Sequence, residues 1–355
     1  NSDAMIEPVP LTILIHEHVT GGGMSGETLP ESWATEGSAM RRALAAEFAA
    51  ARPGHRVIVT RDPRLPADDG PWESVALNSI DDLFPLARKA DYTLPIAPES
   101  DGVLEALIRR LETSGCPHLG SDPRAVTLAA DKDAMTRRFR DVGLETPRTK
   151  LLEPGDDPPD DWRYPAVVKP IDGAGSIDTF RVERPEDLRE LPGRNARRLL
   201  QEFIVGKPMS ALFLVHPTAG PRLLSIGHQR MGLKDGRFHY LGGSIPSEES
   251  VDTDLLIRAV KAVDGLSGLV GVDFIFDPVG RRTVFLEINP RPTTSVVGLL
   301  RATPPGRLAE AWDFPCFQDE YEWQLSVEKA QADVPASDPI FFAADGHIYR
   351  HSDSS

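Results

Sequence analysis

TVFLEINPRPTTS, Thr283 to Ser295, is the stretch that decides the fold of this chain. Thr-Val-Phe-Leu is apolar and β-rich, which reads as a buried strand. The strand ends in Glu287, Ile288 and Asn289. Alternate residues of a strand share a face, so Glu287 and Asn289 point the same way. Two hard oxygen donors on one face make half of a Mg²⁺ site. Arg291, just past Pro290, adds a fixed cation and an oxyanion donor. Upstream, GVDFIFDP reads as another strand with Asp273 inside its apolar run, where a lone carboxylate needs a partner. A hairpin through Asp277-Pro278-Val279-Gly280 would bring Asp273 beside Glu287. Two ordinary strands with solvated acids are the plain alternative, but they leave the order of donors without a reason.

Asp273, then Glu287-x-Asn289 on a neighbouring strand, then Arg291 resembles the ATP-grasp superfamily, whose Mg²⁺ ligands come as Asp, then Glu-x-Asn. The resemblance implies that Asp273, Glu287 and Asn289 hold Mg²⁺, or Mn²⁺, on ATP. It implies that Arg291 is the catalytic arginine. The implied fold class is α/β, built of α+β modules. A Rossmann-like pre-ATP-grasp domain takes residues 1–120, an ATP-grasp N-terminal lobe 121–200, and a C-terminal lobe with the metal site 201–355.

The chain has 355 residues, enough for two or three packed units. Its net charge is −15, which makes nucleic acid and anionic membrane poor partners. Cys116 and Cys316 stand far apart in no metal or redox spacing, which suits a reducing cytoplasm. No apolar run approaches a membrane helix, and the start lacks the basic and apolar regions of a signal peptide. Asn1–Ala4 read as a cloning remnant ahead of a native Met5.

Leu11–Val19 (LTILIHEHV) reads as a first strand running into the glycine loop Thr20–Gly26. That loop fits a phosphate cradle poorly and a flexible loop near a substrate pocket better. Helix is expected over Thr35–Arg52 with Thr35 as N-cap, then strands at Arg56–Asp62 and Ala90–Pro98. This alternation predicts a parallel α/β unit with ligands at the carboxyl ends of its strands. His16, Glu17 and His18 sit at such an end; a His-x-His metal pair and ordinary polar strand-end or substrate contacts both fit them.

Ser121-Asp122-Pro123 and Asp131-Lys132-Asp133 each open a helix. In Tyr164–Phe180 a strand ends in Lys169 and a small-residue loop, Gly173-Ala-Gly175-Ser176, follows. Small residues let backbone N–H groups approach phosphate oxygens, and the lysine supplies charge; a hairpin turn would explain the loop equally well. After Val-Lys-Pro it resembles the ATP-grasp phosphate loop. The resemblance then implies that Lys132 and Lys169 reach the phosphates and that Gly173, Gly175 and Ser176 cradle them. Arg197–Val215 resembles the adenine hinge, with Gln201, Glu202, Phe203 and Ile204 against the nucleotide. The glutamate that normally binds ribose two residues past the hinge glycine is missing, since Gly206 is followed by Lys207 and Pro208.

His228–Ser250 is polar and glycine-rich, and looks like the loop that covers the substrate in related ligases. Gln229, Arg230, Tyr240, Gly242 and Gly243 are its candidate contacts, joined by Glu17 and by Thr293, Thr294 and Ser295. Asp252–Leu266 reads as an amphipathic helix and PIFFAAD as a last strand. ILIHEHVTGGG, EGSAM, the QR…Y-x-GG segment and EINPRPTTS together resemble the tyramine–glutamate ligases of methanofuran biosynthesis and their bacterial relatives in one-carbon metabolism. That likeness implies ATP-driven amide formation through an acyl phosphate. Glutamate would give its side-chain carboxylate, and tyramine or tyrosine the amine. It allows a homodimer, with no interface legible. An ATP-grasp ligase for another amino acid pair, a kinase and a nucleotide-binding regulator remain open beside it. No general base stands out.

Overall fold

The computed structural model describes residues 10–51, 54–173, 176–193, 195–312, 340–343 and 348–349. Asn1–Ala4, Gly175 and Cys316, each singled out in the sequence, lie outside the described residues. The N-terminal strands β1 (Thr12–Glu17), β2 (Arg56–Arg61), β3 (Glu73–Ala76) and β4 (Tyr92–Ile96) form one parallel sheet in the order β3-β2-β1-β4. Its helices are α1 (Glu31–Ala51), α2 (Leu83–Ala87) and α3 (Val103–Thr113). Parallel strands are covered on both faces, which is why Ile13–Ile15 and Val57–Val59 read as unbroken apolar runs.

Helix α1 begins a turn before the expected cap. Pro30 donates nothing and its carbonyl accepts the Ala34 N–H at 3.0 Å, while Glu31 favours the first turn by its charge. Thr35 therefore lies inside the helix, its hydroxyl donating to the Glu31 carbonyl at 2.7 Å.

Among the described residues the second sheet has 11 strands, with the main path β13-β12-β9-β10-β11-β7-β6-β8-β5. One set is β5 (Thr149–Leu152), β6 (Ala166–Pro170), β7 (Phe180–Val182) and β8 (Arg198–Glu202); the short helix α6 (Asp187–Glu190) lies between β7 and β8. The other set is β9 (Lys207–His216), β10 (Gly220–Lys234), β11 (Arg237–Ile245), β12 (Gly268–Asp277) and β13 (Arg282–Asn289). The sheet joins the two sets through one register pair, Arg237 with Phe180. Around it pack α4 (Pro123–Ala130), α5 (Lys132–Asp141), α7 (Thr253–Lys261), α8 (Ser295–Ala302) and α9 (Arg307–Trp312). Finally β14 (Ile340–Ala343) pairs with β11 and with β15 (Ile348–Tyr349).

The segment His228–Ile245, expected as a covering loop, is instead most of the β10–β11 hairpin. Asp235 and Gly236 turn it with φ of 50° and 74°, between the paired Lys234 and Arg237. Two central residues with positive φ match the twist of a hairpin, and Asp-Gly is the dipeptide that tolerates them. Polar, glycine-rich composition masked that signal.

The largest core joins the first sheet to the far end of the chain. Ile15, Met40, Leu44 and Phe48 pack in one cluster with Leu212, Val296 and Trp312, and the Phe48 and Trp312 rings lie 5.7 Å apart. Buried Glu47 locks the same junction. Its carboxylate accepts N–H groups of Gly306 (2.9 Å), Leu308 (2.7 Å) and Ala309 (3.1 Å) at the start of α9. Glu47→Ala leaves these donors unpaired, each at a cost of about 1–3 kcal/mol. Urea unfolding should show a loss of at least ~3 kcal/mol, the sum of three such costs at their lower bound; a loss under about 0.5 kcal/mol, the range of a neutral surface change, would mean the three bonds contribute nothing.

Candidate active site

Helix caps and strand ends aim the charged groups at one cavity of about 300 Å³. Asp131 caps α5, accepting from Asp133 N at 3.0 Å and Ala134 N at 2.9 Å, which sets Lys132 in the first turn. Lys132 Nζ donates to the Gly173 carbonyl at 2.6 Å and lies 3.3 Å from Glu287 Oε2. Lys169 enters from the end of β6. Register pairs Asp273 with Glu287 and Gly271 with Asn289 across β12 and β13, as the hairpin reading expects. A bulge after Asp273 shifts the register there.

Asp273 takes hydrogen bonds from Asn289 Nδ2 at 3.1 Å and Gln229 Nε2 at 3.0 Å. Burial, and then the like charge of Glu287, push its carboxyl up to about 7. Burial alone would raise Glu287 too, yet Lys132, Lys169 and Arg291 outweigh it and hold Glu287 below the usual range. Burial lowers Lys169 to about 8. Two adjacent carboxylates and an amide oxygen are hard donors, and a divalent cation between them would remove the repulsion that raises Asp273. The donor set fits Mg²⁺.

The cavity also gathers Ser176, Gln201, Glu202, Phe203, Ile204, Gln229, Tyr240, Thr293, Thr294 and Ser295. Gln201 is buried and donates to Thr149 Oγ1 at 2.9 Å. The backbone N–H groups of Phe203 and Ile204 donate to no backbone carbonyl among the described residues. Pro208 lines the wall where the ribose glutamate was missed, while Lys207 pairs with Glu249.

Four expected substrate contacts do not line the cavity. Glu17 is buried beneath its own loop, accepting from Val19 N (3.2 Å), Thr20 N (2.7 Å) and Thr20 Oγ1 (2.6 Å). Arg230 falls between Gln229 and Met231, which line the wall, and donates to the Leu241 carbonyl at 3.2 Å. Gly242 and Gly243 pair with Ala343 and Phe342 of β14. A Cβ on Gly242 would stand 2.1 Å from the Phe342 carbonyl oxygen, so this glycine admits a strand rather than a ligand. The glycine loop after β1 folds on itself, with Gly21 N on Glu17 O at 2.6 Å and Gly23 N on His18 O at 2.9 Å. It contributes nothing to the cavity wall among the described residues. His16 and His18 have no third ligand for a metal among the described residues.

Two acids escaped the sequence reading. Glu36, inside the EGSAM run on α1, lines the cavity and accepts from the Thr294 hydroxyl. Glu99, past the end of β4, lies 3.0 Å from Arg291 Nε. EGSAM was the available signal for the first; the second had none.

An ATP-grasp domain profile matches residues 129–295, and a pre-ATP-grasp domain profile matches 55–126. The chain belongs to the ATP-grasp superfamily, in which ligases are its relatives. The tyramine–L-glutamate ligase of Methanocaldococcus fervens is 30% identical over 60% of this chain, and the match spans 62% of that enzyme. A D-alanine–D-alanine ligase of Desulforudis audaxviator is 31% identical over 61% of this chain and 74% of its own length. An ATP-grasp superfamily protein of Archaeoglobus fulgidus superposes with a TM-score of 0.64 at 26% identity, covering 82% of this chain and 85% of that one. Among the described residues no helix is long and apolar enough to cross a membrane.

Burial holds the His16 imidazole down to about 3. An unfolded histidine takes its proton near pH 6.5 and the folded one only near 3, so stability falls as the pH drops through that window. The slope from this residue approaches ~1.4 kcal/mol per pH unit. His16→Asn, measured by denaturant unfolding between pH 7 and 4, should remove that part of the slope; an unchanged slope would refute the assignment.

Proposed function

We propose that the protein is an ATP-dependent ligase that activates a carboxylate as an acyl phosphate and joins it to an amine. The observation carrying this is the convergence of Lys132, Lys169, Asp273, Glu287, Asn289 and Arg291 on one cavity. Lys169 and Lys132 would bind the phosphates, with Gly173 and Ser176 beside them in the cavity wall. Phe203 and Ile204 would offer backbone groups to the adenine edge. Asp273, Glu287 and Asn289 would hold Mg²⁺, which when bound neutralises charge on the transferring phosphoryl group. Arg291 would stabilise the oxyanion formed when the amine attacks the acyl phosphate.

For the substrates, we propose glutamate through its side-chain carboxylate and tyramine or tyrosine as the amine. The named methanogen relative supports this pair. So does the far end of the cavity. Glu36 offers a carboxylate there; one of its oxygens accepts the Thr294 hydroxyl, and the carboxylate charge would suit an ammonium. Thr293, Thr294 and Ser295 add hydroxyls at the start of α8. Phe342 and Ile245, packed against Gly298 of that helix, give an apolar wall suited to a phenol ring. Such a pair would place the enzyme in the assembly of a methanofuran-type one-carbon cofactor.

Phosphate release from MgATP with glutamate, with and without tyramine or tyrosine, tests the reading. Release that needs both substrates, and a product joined with loss of one water, is the expected result. Release with a different amino acid pair would move the substrates toward the D-alanine ligase side; no release with any pair would remove the ligase reading. Asp273→Asn should abolish turnover in a folded protein, and retained turnover would remove the metal assignment. Glu36→Gln should raise the KM of the ammonium-bearing substrate ~10–100-fold and leave the ATP KM unmoved, because a charged hydrogen bond contributes about 1.5–3 kcal/mol. Equal KM values would dismiss Glu36 from substrate recognition.

A further inference from the structure

Arg291 is held by a residue of the first sheet. Glu99 follows β4, and its Oε1 stands 3.0 Å from Arg291 Nε, with the two side chains 6% and 11% exposed. Neither Glu99 oxygen takes part in a hydrogen bond among the described residues, so the guanidinium is the counter-charge that matches its burial. A buried ion pair is weak support for stability, because desolvation of both ions offsets their attraction. Its effect here is geometric.

Two further carboxylates act on the Arg291 charge, Glu36 and Glu287. Glu287 is the register partner of Asp273. A guanidinium released from Glu99 would be drawn toward them, and at Glu287 it would compete with a metal. The loop carrying Glu99 is itself fixed. Leu104 N bonds the Pro98 carbonyl at 3.1 Å, and Asp101, left-handed at φ 55°, donates its N–H to Asp172 Oδ2 at 2.9 Å. Asp172 lines the cavity beside Gly173.

We infer that Glu99 is a positioning residue: it holds Arg291 away from Glu287, leaving that carboxylate to a divalent cation and the arginine to the reacting carbonyl. The arginine half rests on the ligase reading above; the cation half rests on the Asp273, Glu287 and Asn289 donor set alone.

The test uses the full chain and a non-hydrolysable ATP analogue. Calorimetry gives the Mg²⁺ concentration at half-maximal analogue binding for the wild type, Glu99→Gln, Arg291→Ala and the double variant. Glu99→Gln should raise that midpoint ~10-fold, the effect of a cation moved within a few ångströms of a ligand carboxylate. In the double variant the midpoint should return to within about twofold of Arg291→Ala, since no guanidinium remains to compete. Glu99→Asp, which keeps the charge, should fall between wild type and Glu99→Gln, and it carries the test if the amide variant does not fold. An unmoved midpoint, or a rise that persists in the double variant, would overturn the inference. In phosphate release at saturating Mg²⁺, Glu99→Gln should lower kcat ~10-fold with the ATP KM unchanged. A wild type silent with every amino acid–amine pair would defeat the ligase reading and leave the Mg²⁺ result standing.

Discussion

Two carboxylates placed side by side across one strand ladder are the constraint on which this molecule depends. Asp273 and Glu287 face each other in register, both half-buried in the cavity wall. Left alone, the pair would repel and one member would stay protonated. The remaining charges of the cavity answer that repulsion from separate parts of the chain: Lys132 from a capped helix, Lys169 from a strand end and Arg291 from the turn beyond β13. The folding problem and the chemical problem share one solution here. The cations that make the carboxylates tolerable include the two lysines proposed above to bind phosphate.

What the sequence disclosed follows from how local each feature is. Asp273, Glu287 and Asn289 were legible because strand alternation and a short hairpin fix their relation within a few residues. Lys132 was singled out by the resemblance of its run to the ATP-grasp entry, and the Asp131 cap holds it in the first turn of α5. Glu36 reaches the cavity, and Glu99 reaches Arg291, only because the first sheet and α1 dock against the end of the chain, and no periodicity records that contact. Glu17 misled for the opposite reason. A carboxylate at a strand end looks available, but three donors within three residues of it consume its oxygens.

Glycines were the other source of error. Gly242 and Gly243 were expected to contact substrate, and the structure pairs them with β14. In Asp235-Gly236 the same residue type makes a tight turn. Both uses need a backbone without a side chain, and composition cannot separate close approach of a ligand from close approach of another strand.

The seam between the two strand sets has a mechanical consequence. Across it the sheet is joined by Arg237 and Phe180, with Arg181 N on the Gly236 carbonyl at 2.7 Å and Phe238 N on the Thr179 carbonyl at 2.9 Å. Two such bonds contribute about 1 kcal/mol each, far less than the unfolding of either set. The ladder can therefore part at this point while the strands on both sides keep their partners. Amide protons at Arg181 and Phe238 would exchange with solvent sooner than those of β9 or β12. The seam is thus the line along which backbone hydrogen bonds join the two strand sets least firmly.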